Sequence, residues 1–273
     1  MHWYDKKGQP AYEVKGANGK MRPTTLRDAR KLHLVPSVTT VMSVQDKPAL
    51  INWLQNQILD ACVSNPYHPL DGVSEKEWRY KIMQEARSVG KAAADNGTII
   101  HDAIEEALKN NNQNFKTQAV VNPVLEFLDT KFKGFEWVAE DSFTHPLGFG
   151  GKIDLYGVKN KGKKTERRMV LDFKTKLKSA ADIKKLKTYD DHHIQTAAYV
   201  KGIEDTKELG QMMDYQLWER YNLFIGYELD KKGVFAYTGT KLTQSKDFER
   251  EWGMFEKLLE FWQLKNKYVP EGL

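Results

Sequence analysis

One cysteine, Cys62, stands in a chain of 273 residues. That excludes an internal disulfide and every centre that needs several thiolates, a four-cysteine zinc site and an iron–sulfur cluster among them. No run of about 18 apolar residues occurs, so no membrane-spanning helix and no membrane partner are expected. The opening stretch, Met1-His2-Trp3-Tyr4-Asp5-Lys6-Lys7, lacks the apolar core of a signal peptide. Together these absences predict an intracellular, cytoplasmic setting. A glycine-rich loop of the G-x-x-x-x-G-K-S/T kind is missing too, so no helicase motor is expected in these residues. Nor does one sign of charge dominate: 42 Lys and Arg face 37 Asp and Glu, for a net charge of +5. That balance permits a polyanionic partner without requiring one.

What is present is enough for a packed core. Hydrophobic residues make up 40% and charged residues 29% of the chain, which is the balance of a globular protein rather than a disordered one. No repeat, low-complexity tract or linker breaks it, so residues 1–273 are read as a single domain. Residues 1–90 form its mainly helical N-terminal part with an accessory hairpin, and residues 91–273 its core. Residues 2–14 read as that hairpin, two short strands about a Lys-Gly turn. Short helices are expected over Thr24–Leu32, capped by threonine, and after Pro36 with Ser37 as N-cap. Pro48–Val63 repeats Leu50, Ile51, Leu54, Ile58 and Ala61 at helical spacing. Ser74–Glu77 has capping-box spacing and starts a helix reaching about Val89. Gly97 then marks the start of another helix or a close backbone approach, with Ile100, Ala103, Ile104, Ala107 and Leu108 as the buried stripe that follows. Further helices are expected over Asn122–Phe132, Ala180–Lys187, Asp190–Ile203 and Phe248–Tyr268. Strand character covers Gly134–His145, and a hairpin covers Tyr221–Leu229 and Gly233–Thr240. The sum is a mixed α/β (α+β) fold: a mostly antiparallel sheet with helices on its faces.

The chemistry gathers in Gly148–Lys176, two alternating runs about a basic, glycine-containing turn, which predicts a β-hairpin. On one arm Lys152, Asp154 and Tyr156 share a face; on the other Val170, Asp172 and Lys174 do. A turn near Gly162–Lys164 sets Asp154 opposite Asp172, with side chains roughly 5 Å apart at Cβ. Two acids and a lysine on one face are costly to hold together unless something uses them. A divalent cation bridging the two carboxylates is that use. Oxygen donors with an imidazole suit Mg2+ or Mn2+. His101 and Glu105, four apart on one helix, add an imidazole and a carboxylate to the supply. Such a centre, with a lysine beside it, fits hydrolysis of a phosphodiester by water. The turn Lys159–Arg168 is either a solvated loop or a guide for a phosphate backbone.

Read in order, these pieces resemble the PD-(D/E)XK nuclease superfamily, in particular its RecB-like exonuclease branch, which includes phage exonucleases and the mitochondrial genome-maintenance exonucleases. Gly97-Thr98-Ile99-Ile100-His101 with Ile104-Glu105 resembles the helix that gives a metal-binding histidine. Gly151-Lys152-Ile153-Asp154 resembles the strand with the first aspartate, and Leu171-Asp172-Phe173-Lys174-Thr175 the strand with the second acid and the lysine. Gln195-Thr196-Ala197-Ala198-Tyr199 resembles the Q-x-x-x-Y helix, and Val35–Thr40, with Leu50 and Trp53, the lead-in. The likeness covers roughly residues 35–200.

It implies a restriction-endonuclease-like core: a mixed central sheet flanked by helices, behind a helical N-terminal region. His101, Asp154, Asp172 and the Phe173 backbone carbonyl would hold Mg2+ or Mn2+, with Glu105 in reserve for a second ion. Lys174 would be the catalytic lysine and Gln195 would hold the scissile phosphate or order that lysine. Tyr199 would sit near the nucleic acid. Apart from the resemblance, Lys178, Lys184, Lys185 and Lys187 after the active strand either hold backbone phosphates or form a solvated helix face. The implied activity is metal-dependent exonuclease digestion of DNA, single- or double-stranded, in recombination, repair or phage DNA metabolism. The cytoplasm of a bacterium or phage-infected cell would house it, with a homo-oligomer and a single-strand-binding or annealing protein as partners. Cysteine-bearing relatives carry an iron–sulfur cluster; with Cys62 alone, none is expected here. The alternatives are a structure-selective or nicking endonuclease on the same fold, and an inactive nuclease-like nucleic-acid-binding protein. A carboxylate-pair glycosidase leaves Lys174 unexplained.

Overall fold

A computed structural model describes residues 1–68, 72–110, 112, 114–207, 215 and 218–270. The chain divides into two compact units, one made of residues 1–45 with 103–273 and the other of residues 46–102. The first 45 residues thus belong to the same unit as the sheet.

The larger unit is built on five strands, β5 (Glu136–His145), β6 (Phe149–Lys159), β7 (Arg167–Leu177), β8 (Trp218–Leu229) and β9 (Phe235–Ser245), hydrogen-bonded in that order. Only the β7–β8 pair is parallel; the others are antiparallel. The hairpin sequences give short connections and therefore antiparallel pairs. Between β7 and β8 the chain instead passes through helices α6 (Ala180–Lys185) and α7 (Asp190–Thr206), and such a crossover is what a parallel pair requires. The sheet is therefore mixed.

Helix α7 packs on β5, β6, β7 and β8, and α8 (Phe248–Asn266) packs on α7. Residues 194–200 of α7 are all buried. Gly202 allows the close approach: a Cβ there would lie 2.1 Å from the Phe143 ring on β5. Helix α8 is further tied to β8 by the buried Arg220–Glu251 ion pair, a contact whose loss on one side alone costs about 3–5 kcal/mol. Two further helices, α5 (Gln118–Lys131) and α6, lie against β9. Helix α5 starts four residues before the expected Asn122, so Pro123 sits inside it rather than in its first turn.

The N-terminal stretch places Trp3 and Tyr4 in the core, whereas residues 13–15 and 21–23 stay mostly exposed. Strand β1 (Trp3–Tyr4) pairs with β4 (Val35–Pro36), while β2 (Glu13–Lys15) pairs with β3 (Met21–Pro23). Trp3 is fully buried and meets Trp262 of α8 edge-on. Between these strands runs α1 (Leu26–Leu32), opened by a Thr25–Asp28 capping box, and after them α2 (Val38–Val41), capped by Ser37 as its sequence predicts.

The smaller unit comprises α3 (Pro48–Ser64) and the first three-quarters of α4 (Glu75–Asn110), which continues into the larger unit. Trp78 donates to the Asn65 carbonyl, and the Asn65 amide donates to Glu85, which ties the two helices together. The capping box at Ser74–Glu77 is formed. The helix it opens does not stop near Val89, and Gly97 lies in its interior. That glycine costs about 1 kcal/mol there, and the helix formers around it outweigh the cost. The apolar stripe read on α3 is not a buried one: Leu50, Ile51 and Leu54 stay 40–49% exposed, and Ala61 is the buried member. No helix among the described residues is long and apolar enough to cross a membrane.

Candidate metal centre

The register of the sheet assembles the polar row. On β6 and β7 the paired residues run from Lys159↔Arg167 to Leu155↔Leu171 and then stop. One step further, Asp154 would face Asp172, as the alternation predicts. There the ladder gives way to a side chain: the Phe173 backbone N–H donates to Asp154 Oδ2 at 2.6 Å. A carboxylate takes the place of the partner strand's carbonyl, so the two strands part at the level of the acids. In a strand the N–H and C=O of one residue point the same way, so the Phe173 carbonyl also faces the β6 side. That is where a backbone ligand beside the two aspartates has to point.

On the other side of β6, Ala139↔Leu155 and Asp141↔Ile153 bracket Glu140 and set it across from Asp154. Carboxylate oxygens of Glu140 and Asp154 lie within 4.8 Å of one another. On the far side, Asp172 pairs in register with Asn222 of β8. The row across four strands is therefore Glu140, Asp154, Asp172, Asn222. Sequence reading found its two middle members and missed both ends.

Asp172 is 2% exposed and accepts from the Asn222 amide at 3.0 Å and from the Lys174 ammonium at 2.8 Å. Lys174 donates to Gln195 Oε1 at 2.9 Å, and Gln195 Nε2 donates to the Tyr199 hydroxyl at 2.8 Å. Burial alone would lower the Lys174 ammonium, but the charge and hydrogen bond of Asp172, with the charges of Asp154 and Asp191, outweigh it and hold it above its ordinary value. Lys174 is therefore a cation at neutral pH, not a base. Tyr199 is pushed well up, first by burial and then by the charges of Asp172 and Asp154, so its phenol stays protonated.

Tyr199 is 5% exposed and lies under Gly151, where a Cβ would meet its ring at 3.0 Å. Its ring is covered, and its hydroxyl accepts from Gln195. Lys178, at the end of the β7 run, and Lys184, on α6, are both exposed.

The β5 end of the row has its own lysine. Lys152 pairs with Glu140 and lies 3.7 Å from Glu105, which also accepts from Lys109 at 2.7 Å. Burial raises the Glu140 carboxyl, as does the Asp154 charge, against the pull of Lys152. For Lys152, burial works downward, but the bond to Glu140 and the charges of Glu140 and Glu105 prevail and raise it. Glu140 also holds a left-handed backbone, φ +54°, which costs a non-glycine residue about 1–2 kcal/mol. His101 lies on α4, half-buried and one helical turn before Glu105.

The donor set is carboxylate oxygen with a strand carbonyl, and among the described residues Cys62 is the sole thiol. Those are the ligands of Mg2+ or Mn2+ rather than of a thiophilic ion, so the residues present fit the expected cation. Compared with known protein families the chain matches none, and no curated protein matches it by sequence.

Proposed function

We propose that the chain is a Mg2+- or Mn2+-dependent deoxyribonuclease that hydrolyses phosphodiester bonds, working from DNA ends. One observation carries this reading: an ammonium held by Asp172 and Gln195, on the strand whose Phe173 N–H is bound by Asp154. Asp154, Asp172 and the Phe173 carbonyl are the proposed ligands; His101 as the imidazole comes only with the resemblance to the RecB-like branch. When bound, the ion acidifies water and offsets charge on the phosphoryl oxygens.

The chain's own residues do the rest. An ammonium has three N–H donors; Asp172 and Gln195 take two of Lys174's, which aims the third. A charged Lys174 therefore orients the attacking water or meets the negative charge that grows on the phosphate. Gln195 fixes its position, and Tyr199 fixes Gln195. The support chain is buried, so the ammonium need not reorganise as charge develops. Lys178 and Lys184, on the exposed surface after β7, are proposed contacts to backbone phosphates. End-directed cutting, a restriction-endonuclease-like core and an annealing partner come with the resemblance to the RecB-like branch.

Incubation with linear and circular duplex DNA, with and without Mg2+ or Mn2+, tests the proposal. Linear DNA is expected to disappear only with the metal, circles to survive, and EDTA to stop the reaction. Circles cut as fast as linear DNA would make the enzyme an endonuclease. No cleavage with any divalent ion would leave a nucleic-acid-binding protein.

A further inference from the structure

The β5 end of the acid row has the makings of a second cation position. Two-metal phosphodiester centres hold their ions roughly 4 Å apart and share a carboxylate between them. Here Asp154 stands mid-row, and the carboxylate oxygens of Glu140 beside it are within 4.8 Å of its own. Glu105 reaches the same place from α4, 3.7 Å from the Lys152 ammonium. Three carboxylates would suffice for a second Mg2+. The space is already taken. Lys152 sends its ammonium between Glu105 and Glu140, making an ion pair with each.

We propose that Lys152 is a built-in substitute for the second metal ion, so that this centre takes one divalent cation where its carboxylates alone would take two. The inference rests on the metal-dependent reading above and concerns how many ions that site admits. Three features favour it. The Glu140 side chain is 8% exposed, and a carboxylate that far from water needs a cation beside it at all times. A tethered ammonium provides one whatever the metal supply. Its left-handed backbone also holds the Glu140 side chain in the row at a conformational cost, the kind of strain that marks a site in use. Finally, Lys152 keeps its ammonium paired with both Glu105 and Glu140 although its side chain is still 35% exposed. Lys152 is on this account a positioning residue: it does not touch the reacting phosphate, and it sets the charge beside Asp154 at +1 rather than +2.

Mn2+ titration of the purified chain, followed by electron paramagnetic resonance and by calorimetry, counts the ions without reference to activity. The wild type is expected to bind one Mn2+ per chain. Lys152→Met keeps the length of the side chain, removes its charge, and is expected to bind two. Lys152→Arg should still bind one, and Lys152→Met combined with Glu140→Gln should return the count to one. The last two variants hold the test together if Lys152→Met alone melts early. Two ions in the wild type, or one in a folded Lys152→Met, would overturn the inference while leaving the metal centre intact. No Mn2+ bound by the wild type would instead remove the metal-dependent reading itself, and this inference with it.

Discussion

Each end of the acid row carries a lysine two positions from an aspartate in its strand, Lys152 near Asp154 and Lys174 near Asp172, and the two lysines are held differently. At the β7 end Lys174 has one carboxylate, Asp172, and one neutral oxygen, that of Gln195. At the β5 end Lys152 has two carboxylates, Glu105 and Glu140. An ammonium between two acids has its field cancelled locally. One held by an acid and an amide keeps more of its field for a third party, and the amide supplies direction without supplying charge. Burial follows the same division: the Lys174 side chain is 21% exposed and that of Lys152 is 35% exposed. The same residue type thus acts as a charge aimed outward at one end and as a filler at the other.

Substituting each lysine alike is the sharpest way to break this comparison. Lys174→Met is expected to lower kcat for linear DNA by ~10^3-fold or more, leaving the Mn2+ count at one and the fold unchanged by circular dichroism. Lys152→Met should change the count and cost less activity. If Lys174→Met kept a tenth of wild-type turnover, the two ends would be equivalent and the comparison would be wrong. The support behind Lys174 comes next. Gln195→Leu removes the neutral oxygen while Asp172 remains, so kcat should fall about 10- to 100-fold with KM little changed. Gln195→Glu gives the lysine an oxygen again but adds a charge, turning this end into a copy of the other. It should recover the fold but not the rate, and full recovery of rate would show that direction alone matters.

How much of this was legible in the sequence follows from how local each signal is. Strand alternation spans a few residues, so the facing of Asp154, Asp172 and Lys174 and the turn near Gly162 (φ +75°) could be read directly. So could the capping residues Thr25, Ser37 and Ser74, whose partners lie three positions away. Glu140 could not, because its place depends on a left-handed residue inside a strand, which glutamate does not advertise. Asn222 did leave a signal: an amide inside the apolar run Leu223–Tyr227 and its flanks has to be buried with a partner. The burial of Tyr199 was not legible, because i, i+4 spacing describes a surface pair on most helices, whereas α7 is enclosed along residues 194–200. On α3 the helix was legible but the exposure of its stripe was not. Periodicity says which residues share a face, not whether anything covers it, and Leu50 remains 49% exposed.

The β7 end can also be probed without touching a proposed ligand. His192 on α7 is pushed down to about 4, first by burial and then by the charge of Lys174. Between its unfolded value near 6.5 and about 4, the unfolded chain takes up a proton that the folded one refuses. The unfolded state therefore binds more protons across that window, and stability must fall as pH drops through it. Denaturant midpoints measured from pH 7 to pH 4 should reveal a loss on the order of 1–3 kcal/mol that His192→Gln abolishes. An unchanged slope in the variant would mean that His192 is not the group whose protonation is linked to unfolding across this window.

The smallest expected effect tests the last member of the support chain. Tyr199→Phe keeps the buried ring under Gly151 and removes only the hydroxyl that accepts from Gln195 Nε2. One unmatched amide N–H costs about 1 kcal/mol, and if part of that appears as misplacement of Gln195, kcat should fall about three- to tenfold. Stability and rate need not move together. If Tyr199 only fills the core, the loss appears in the denaturant midpoint while kcat stays put. If it orients Gln195, kcat falls in Tyr199→Phe but no further when that change is added to Gln195→Leu, because the residue it acts through is already gone. Additive losses in the double variant would assign Tyr199 a separate role, whereas non-additive ones would make Lys174, Gln195 and Tyr199 a single device for aiming one ammonium.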